Sequence, residues 1–273
     1  MLYRAARCCN VSVSFTFAIT RHRTDQMKPK AQSLFHFTKE LAVLRSILLE
    51  GFWPRYSLED FRWQVTAPGD HEFAAFPMVC FCDIPLSRID EHVDFYGAYG
   101  IGLSKEWGVQ AGLNPVQYIA GPNSVTAALV LLADISRKHT DDNAAAAAFL
   151  LHHVASFMKP IKGQMRVRGS LEDKDFYQES EWRFVPNGAD LPQFLRHAQF
   201  DDTALLEDLH QKSKAQAMLR FSPSDIKYIF VRLDEEIPAM IDFIQNELVA
   251  YSESERKVLM SRVTSIETTK GDW

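Results

Sequence analysis

Apolar and polar positions change period repeatedly along the chain, and each change predicts an element. Leu34-Phe35-His36-Phe37 is a short apolar run of strand type, interrupted by one histidine. Thr38-Lys39-Glu40 follows, with Thr38 as N-cap of a helix reaching about Leu49 and Gly51 as its stop. Residues 52–76 are aromatic, broken by prolines and Gly69, and predict loop. Met78–Cys82 predicts a second strand, turning through Asp83-Ile84-Pro85 into a helix from about Leu86 to Tyr96. Tyr99–Leu103 predicts a third strand, and Ser104–Trp107 the cap and first turn of another helix. Ser124–Lys138 and Asn143–Met158 are alanine-rich with helical spacing. Lys159–Asp175 predicts a loop, Phe176–Val185 a strand, and Asp201–Leu219 a helix. The chain closes with a strand at Asp225–Val231, helices at Pro238–Val249 and Ser254–Leu259, and a strand at Val263–Ile266. This order predicts one α+β domain over residues 27–273, with a helical insert near 120–158.

One predicted strand carries unusual chemistry. Within Phe176–Val185, Glu179 and Glu181 are two residues apart, so a continuous strand would aim both at one face. Like charges on one face raise each other's pKa and cost folding energy. Either this is an edge strand with its charged side in water, Arg183 serving as partner, or it is part of a site.

Composition narrows the classes. The 273 residues are 47% hydrophobic with a formal net charge of -5, enough for a full core and without a bulk nucleic-acid footprint. The four cysteines form two close pairs, Cys8-Cys9 and Cys80/Cys82, with no zinc spacing, which fits reduced thiols in the cytoplasm. No stretch reaches the roughly 20 apolar residues of a membrane span. Residues 1–26 admit three readings: a weak secretory signal, a strand, or a non-native extension upstream of a start at Met27. The polar Met27-Lys28-Pro29-Lys30 favours the last. Gly100-x-Gly102 is too short for a dinucleotide fingerprint, and Walker A and Gly-x-Ser-x-Gly motifs are absent.

Further candidates stand elsewhere. His36 faces opposite to Phe35 and Phe37, as a hydrogen-bonded structural histidine or as a ligand contact. His92, Tyr96 and Tyr99 follow the Phe81-Cys82-Asp83 turn and could stack on a flat ring, although Phe81 and Phe95 also suit a core. Lys159, Lys162, Arg166 and Arg168 form a basic run that suits phosphate or target binding, or a solvated loop.

Taken in order, these residues resemble the AbiGi family of abortive phage-resistance proteins. The matching stretches are Phe35-His36-Phe37-Thr38 with Gly51, Val79–Ser87, Tyr99–Trp107, Asn114-Pro115-Val116, Lys159–Gly163, Phe176–Pro186 and Asp225–Ile229, and the resemblance extends over about residues 32–273. The family in turn resembles the ADP-ribosyltransferase fold, which implies an ADP-ribosyltransferase-like split β-sandwich with a helical insertion that binds NAD. The resemblance places His36, with Phe37 and Thr38, against NAD. Phe81 and Tyr99 line its site, and His92 or Tyr96 stacks on nicotinamide. It matches Glu179-Ser180-Glu181 to the Glu-x-Glu of that fold. Phe81 departs from the pattern by lacking a hydroxyl, and His92 would stack where a tyrosine is usual.

The chemistry explains these residue types. Cleaving nicotinamide from ribose builds positive charge on C1′, which a carboxylate fixed beneath the sugar stabilises. Glu181 takes that role, and Glu179 orients or deprotonates the acceptor. No metal is needed. The implied protein is an NAD-dependent toxin of a bacterial antiphage system, with RNA, DNA or protein as target, a neutralising antitoxin partner and room for a chaperone. The alternatives are a non-catalytic antitoxin or binding subunit of the same kind of system, and an NAD glycohydrolase.

Overall fold

The computed structural model describes residues 31–63, 72–138, 142–167, 170–186 and 191–271, so the expectation for residues 1–26, and Arg168, lie outside it. In chain order the elements are β1 (Ser33–Thr38), α1 (Leu41–Glu50), β2 (Arg55–Asp60), β3 (Phe73–Cys82), α2 (Asp90–Tyr96), β4 (Tyr99–Ser104), α3 (Lys105–Gln110), β5 (Asn114–Pro115), β6 (Gln117–Ile119), α4 (Ser124–Lys138), α5 (Asp142–Ala155), β7 (Met158–Pro160), β8 (Lys162–Val167), β9 (Ser170–Asp175), β10 (Glu181–Phe184), β11 (Leu195–Arg196), α6 (His197–Asp201), α7 (Thr203–Gln216), β12 (Ile226–Val231), α8 (Ile237–Glu247), α9 (Glu253–Met260), β13 (Val263–Ser265) and α10 (Ile266–Gly271). The α+β class is as the alternation of periods implies.

The main sheet runs β13-β12-β4-β1-β3-β10-β5 and is antiparallel except for the β12–β13 pair. β1 lies inside it because both faces of β1 are apolar. Leu34 points into the larger core with Leu44, Leu48, Ile101, Leu103 and Ile244, which α1 and α8 cover. Phe35 and Phe37 point the other way, against Ile89, Val93, Phe230 and Ile266 from the α2 and α10 side. Such two-sided burial is what period-2 side chains give when both neighbours of a sheet are helices.

β3 serves two sets of partners. Its first half pairs with β2 and β11, and its second half pairs with β10 and, at Cys82, with β1. Pro77, which has no N–H for a ladder, stands near the handover, opposite Tyr56. Two small sheets lie outside the main one: parallel β6–β7 and the antiparallel hairpin β8–β9.

Four expectations change. Residues 52–76 are not all loop, since β2 and the start of β3 lie there. Arg55–Asp60 is poor in strand formers, but pairing with β3 buries Tyr56, Glu59 and Asp60. Lys159–Asp175 is not a loop but the end of β7 and the β8–β9 hairpin. Phe176–Val185 is not one strand: Phe176–Glu179 is a 3-10 turn begun by Asp175, whose side chain accepts from Tyr177 N–H. Ser180 then takes a left-handed conformation (φ 44°), and the strand starts only at Glu181. Thr38 does not cap α1 either. The N-cap is Glu40, without a side-chain bond, whereas Gly51 does stop the helix at φ 95°.

Candidate active site or ligand site

The strand order β1-β3-β10 brings the separated candidates together. Cys82 lies opposite both Phe35 of β1 and Glu181 of β10, and Cys80 lies opposite Arg183. His36 reaches across to Cys80, its Nδ1 2.8 Å from the Cys80 carbonyl. A carbonyl only accepts, so Nδ1 carries the proton and Nε2 keeps its lone pair. Burial lowers the pKa of His36 and holds the ring neutral. Its ring packs edge-on to Phe52 at 5.2 Å and tilts against Phe81 at 5.7 Å.

Glu181 is not on a water-facing edge, since β10 lies between β3 and β5. Arg183, two residues on and therefore on the same face, donates from Nε to Glu181 Oε1 at 2.7 Å. Its Nη2 reaches Glu59 Oε2 at 2.7 Å, and its Nη1 donates to the Ser156 carbonyl at 2.6 Å. Lys159 Nζ lies 2.8 Å from Glu181 Oε2, 3.1 Å from Glu179 Oε2 and 3.9 Å from Glu59 Oε2. Lys174 Nζ stands 2.7 Å from Glu179 Oε1. Three acids thus meet three bases, and Arg183, at the centre, has no exposed surface.

The balance of charges sets the protonation. Burial pushes the Glu181 carboxyl up, but Arg183 and Lys159 outweigh it and hold the group well below the usual carboxylate range. Burial likewise raises Glu179, and Lys159 and Lys174 bring it down despite its neighbour Glu181. Burial lowers Lys159, yet Glu181, Glu59 and Glu179 keep it fully charged. Both glutamates are therefore ionised at neutral pH.

This network forms one wall of a cavity of about 690 Å³. His36, Phe37, Phe81, His92, Tyr96, Lys159, Glu179 and Glu181 all line it. His92 and Tyr96 place their rings 4.5 Å apart, and burial lowers His92 to about 4. The Tyr96 hydroxyl donates to Glu179 and accepts from Lys174 Nζ at 2.8 Å. The cavity thus combines a neutral imidazole acceptor, a ring pair and two ionised carboxylates. That set can hold a hydroxyl-bearing sugar and a flat ring, and can stabilise positive charge developing between them.

Other candidates are placed differently. Phe81 is core, packed on Phe52 and Trp107, and offers the cavity only a surface. Thr38 and Tyr99 do not line the cavity, and the Tyr99 hydroxyl donates to Glu236 at 2.7 Å. The described members of the basic run do not form a patch. Lys159 is buried among acids, Lys162 is exposed 4.0 Å from Asp175, and Arg166 pairs with Asp201 at 2.7 Å. Lys159 belongs to β7, and Lys162 and Arg166 stand near opposite ends of β8. Sequence reasoning missed Glu59, Lys174 and the central place of Arg183. Only Arg183 left a signal, its two-residue spacing from Glu181. Glu59 was hidden in a segment of low strand propensity.

An α+β protein with a charge-balanced carboxylate pair in an aromatic cavity is the class defined by fold and site. The family model described as "Putative abortive phage resistance protein AbiGi, antitoxin" matches residues 52–232. The chain is also 30% identical over 251 residues to "Abortive phage resistance protein AbiGi" of Lactococcus lactis subsp. cremoris, covering 81% of this chain and 99% of the relative. It belongs to the AbiGi family of abortive phage resistance proteins. No solved structure matches it significantly. Among the described residues, no helix is long and apolar enough to cross a membrane.

Proposed function

We propose that the chain is the neutralising, antitoxin-type member of an abortive phage resistance pair, and that it acts by binding a protein toxin. The observation that carries this is the surface of the helical insert. Val125, Leu131, Leu132 and Ile135 of α4 and Phe149, Leu150 and Val154 of α5 are all exposed. Spacings of three, four and seven in α4, and of four between Leu150 and Val154 in α5, place them in a stripe on each helix. Apolar side chains left exposed in stripes along a helix mark sites of association. The word "antitoxin" in the matching family description supports the same reading. The double variant Leu131→Glu/Leu150→Glu tests it, since neither side chain belongs to the core. It should fold normally and lose both toxin binding and neutralisation. Full neutralisation by that variant would overturn the proposal.

A second function is favoured by the cavity, where His36, His92, Tyr96, Glu179 and Glu181 converge. In it the chain is an ADP-ribosyltransferase in fold and activity. It takes NAD, Glu181 stabilises the ribosyl cation, Glu179 prepares a nucleic-acid or protein acceptor, and His36 and the His92–Tyr96 pair hold the nicotinamide riboside. Against it stands the engagement of both Glu181 oxygens by Arg183 and Lys159, with which a substrate hydroxyl would have to compete. Incubation with labelled NAD separates the outcomes: label on a macromolecule for transfer, free ADP-ribose for a glycohydrolase, unchanged NAD for the binding subunit.

A further inference from the structure

The cavity has a second end, built on residues outside the carboxylate network. It runs from His36 and Glu181 along α1 to Trp53 and Arg55 at the start of β2 and Lys214 of α7. Trp53 is fixed there, its Nε1 donating to the His210 carbonyl at 2.9 Å. Two cations converge on its indole, Arg55 with its guanidinium 3.8 Å from the ring centre and Lys214 with its ammonium 5.3 Å away. Lys214 is tied to Glu50 at 2.8 Å, whereas Arg55 has no acidic partner among the described residues.

The inner and outer ends differ in charge. Of the inner network, Glu59, Glu179, Glu181 and Lys159 line the cavity, while Arg183 and Lys174 do not. The inner wall therefore presents three carboxylates to one ammonium, and the outer end presents Arg55 and Lys214 to the single Glu50. A ligand matching this gradient places hydroxyls or a cationic ring inside and its anionic group outside. A guanidinium stacked on an indole keeps its edge N–H donors free, which suits bidentate contact with a phosphate.

We infer that Trp53, Arg55 and Lys214 form a phosphate subsite, and that the cavity takes a nucleoside phosphate with its sugar toward Glu181 and its phosphates at the mouth. This rests on the cavity being a nucleotide site, the basis of the second function above, and adds the residues and ligand group of its outer end. It holds whether the nucleotide is turned over or only bound.

Calorimetric titration of the full chain with adenosine, ADP and inorganic pyrophosphate tests it, using wild type, Arg55→Gln and Lys214→Gln. Two charge-assisted contacts should make ADP bind at least about tenfold more tightly than adenosine. In Arg55→Gln that gap should close to within about threefold with adenosine unchanged, and Lys214→Gln should narrow it in part. Pyrophosphate should compete with ADP in wild type and not in Arg55→Gln. If adenosine and ADP bind wild type equally, or if Arg55→Gln keeps the gap, the phosphate subsite is wrong and the nucleotide cavity stands. If none of the three binds wild type, both are overturned.

Discussion

Glu179 and Glu181 share the ammonium of Lys159, at 3.1 and 2.8 Å, although they belong to different elements. Alternation along one strand does not explain their convergence. Glu179 ends a 3-10 turn, Glu181 begins β10, and the left-handed Ser180 between them redirects the chain so that both carboxylates meet one cation. A β-branched residue resists that conformation. Ser180→Val should therefore destabilise the protein by about 1–3 kcal/mol, while Ser180→Gly should be neutral or better. Urea unfolding of the two variants checks the contrast.

Arg183 holds the network from beneath. Removing its charge leaves Glu59 and Glu181 buried without their guanidinium, and removing one partner of a buried pair costs about 3–5 kcal/mol. Arg183→Met should lose that much in denaturant unfolding. The double change Arg183→Met/Glu181→Gln should recover part of the loss, because fewer uncompensated charges remain.

Acid sensitivity should have two stages. His92 is neutral when folded and titrates at about 4, against an ordinary value of 6.5, so the unfolded chain binds the extra proton first. Its contribution is complete above 6.5 and is lost as pH falls toward 4, with a slope of at most about 1.4 kcal/mol per pH unit. The depressed Glu179 and Glu181 contribute above the ordinary carboxylate range and lose their effect only at lower pH. Burial also lowers His36 and His210, which act in the same direction below 6.5, so His92→Phe should reduce the slope between pH 6.5 and 4 without abolishing it and leave the lower stage in place. Unfolding midpoints measured across pH 3–8 check this.

Gly97 ends α2 at φ 116°, and a Cβ there would lie 2.2 Å from the Thr38 carbonyl oxygen. Both the backbone and the contact forbid a side chain. Gly97→Ala should cost more than about 1 kcal/mol and displace α2, which carries His92 and Tyr96. Near-ultraviolet circular dichroism alongside thermal unfolding checks both effects.

Much of this frame was legible in the sequence. The apolar runs at 34–37, 99–103 and 226–231 became β1, β4 and β12, and the alanine-rich stretches became α4 and α5. His36 and the two glutamates were singled out for their residue types, and the strand order then placed them around one cavity. What escaped depended on tertiary pairing. β2 is a strand because β3 lies beside it, and Glu59 is tolerated inside because Arg183 meets it. Lys159 read as a phosphate ligand or as part of a solvated loop, and the fold instead surrounds it with acids. The basic run failed as a unit because Lys159 belongs to β7 and is buried among acids, whereas Lys162 and Arg166 stand near opposite ends of β8 and face different acids.

The most direct measurement is cell survival when the cognate toxin is induced together with wild type, Glu181→Gln or Leu131→Glu/Leu150→Glu, each first confirmed as folded by thermal melting. Neutralisation by binding through α4 and α5 predicts rescue by wild type and by Glu181→Gln, and death with the double variant. Rescue by the double variant, loss of rescue in folded Glu181→Gln, or growth arrest by wild type alone would contradict it.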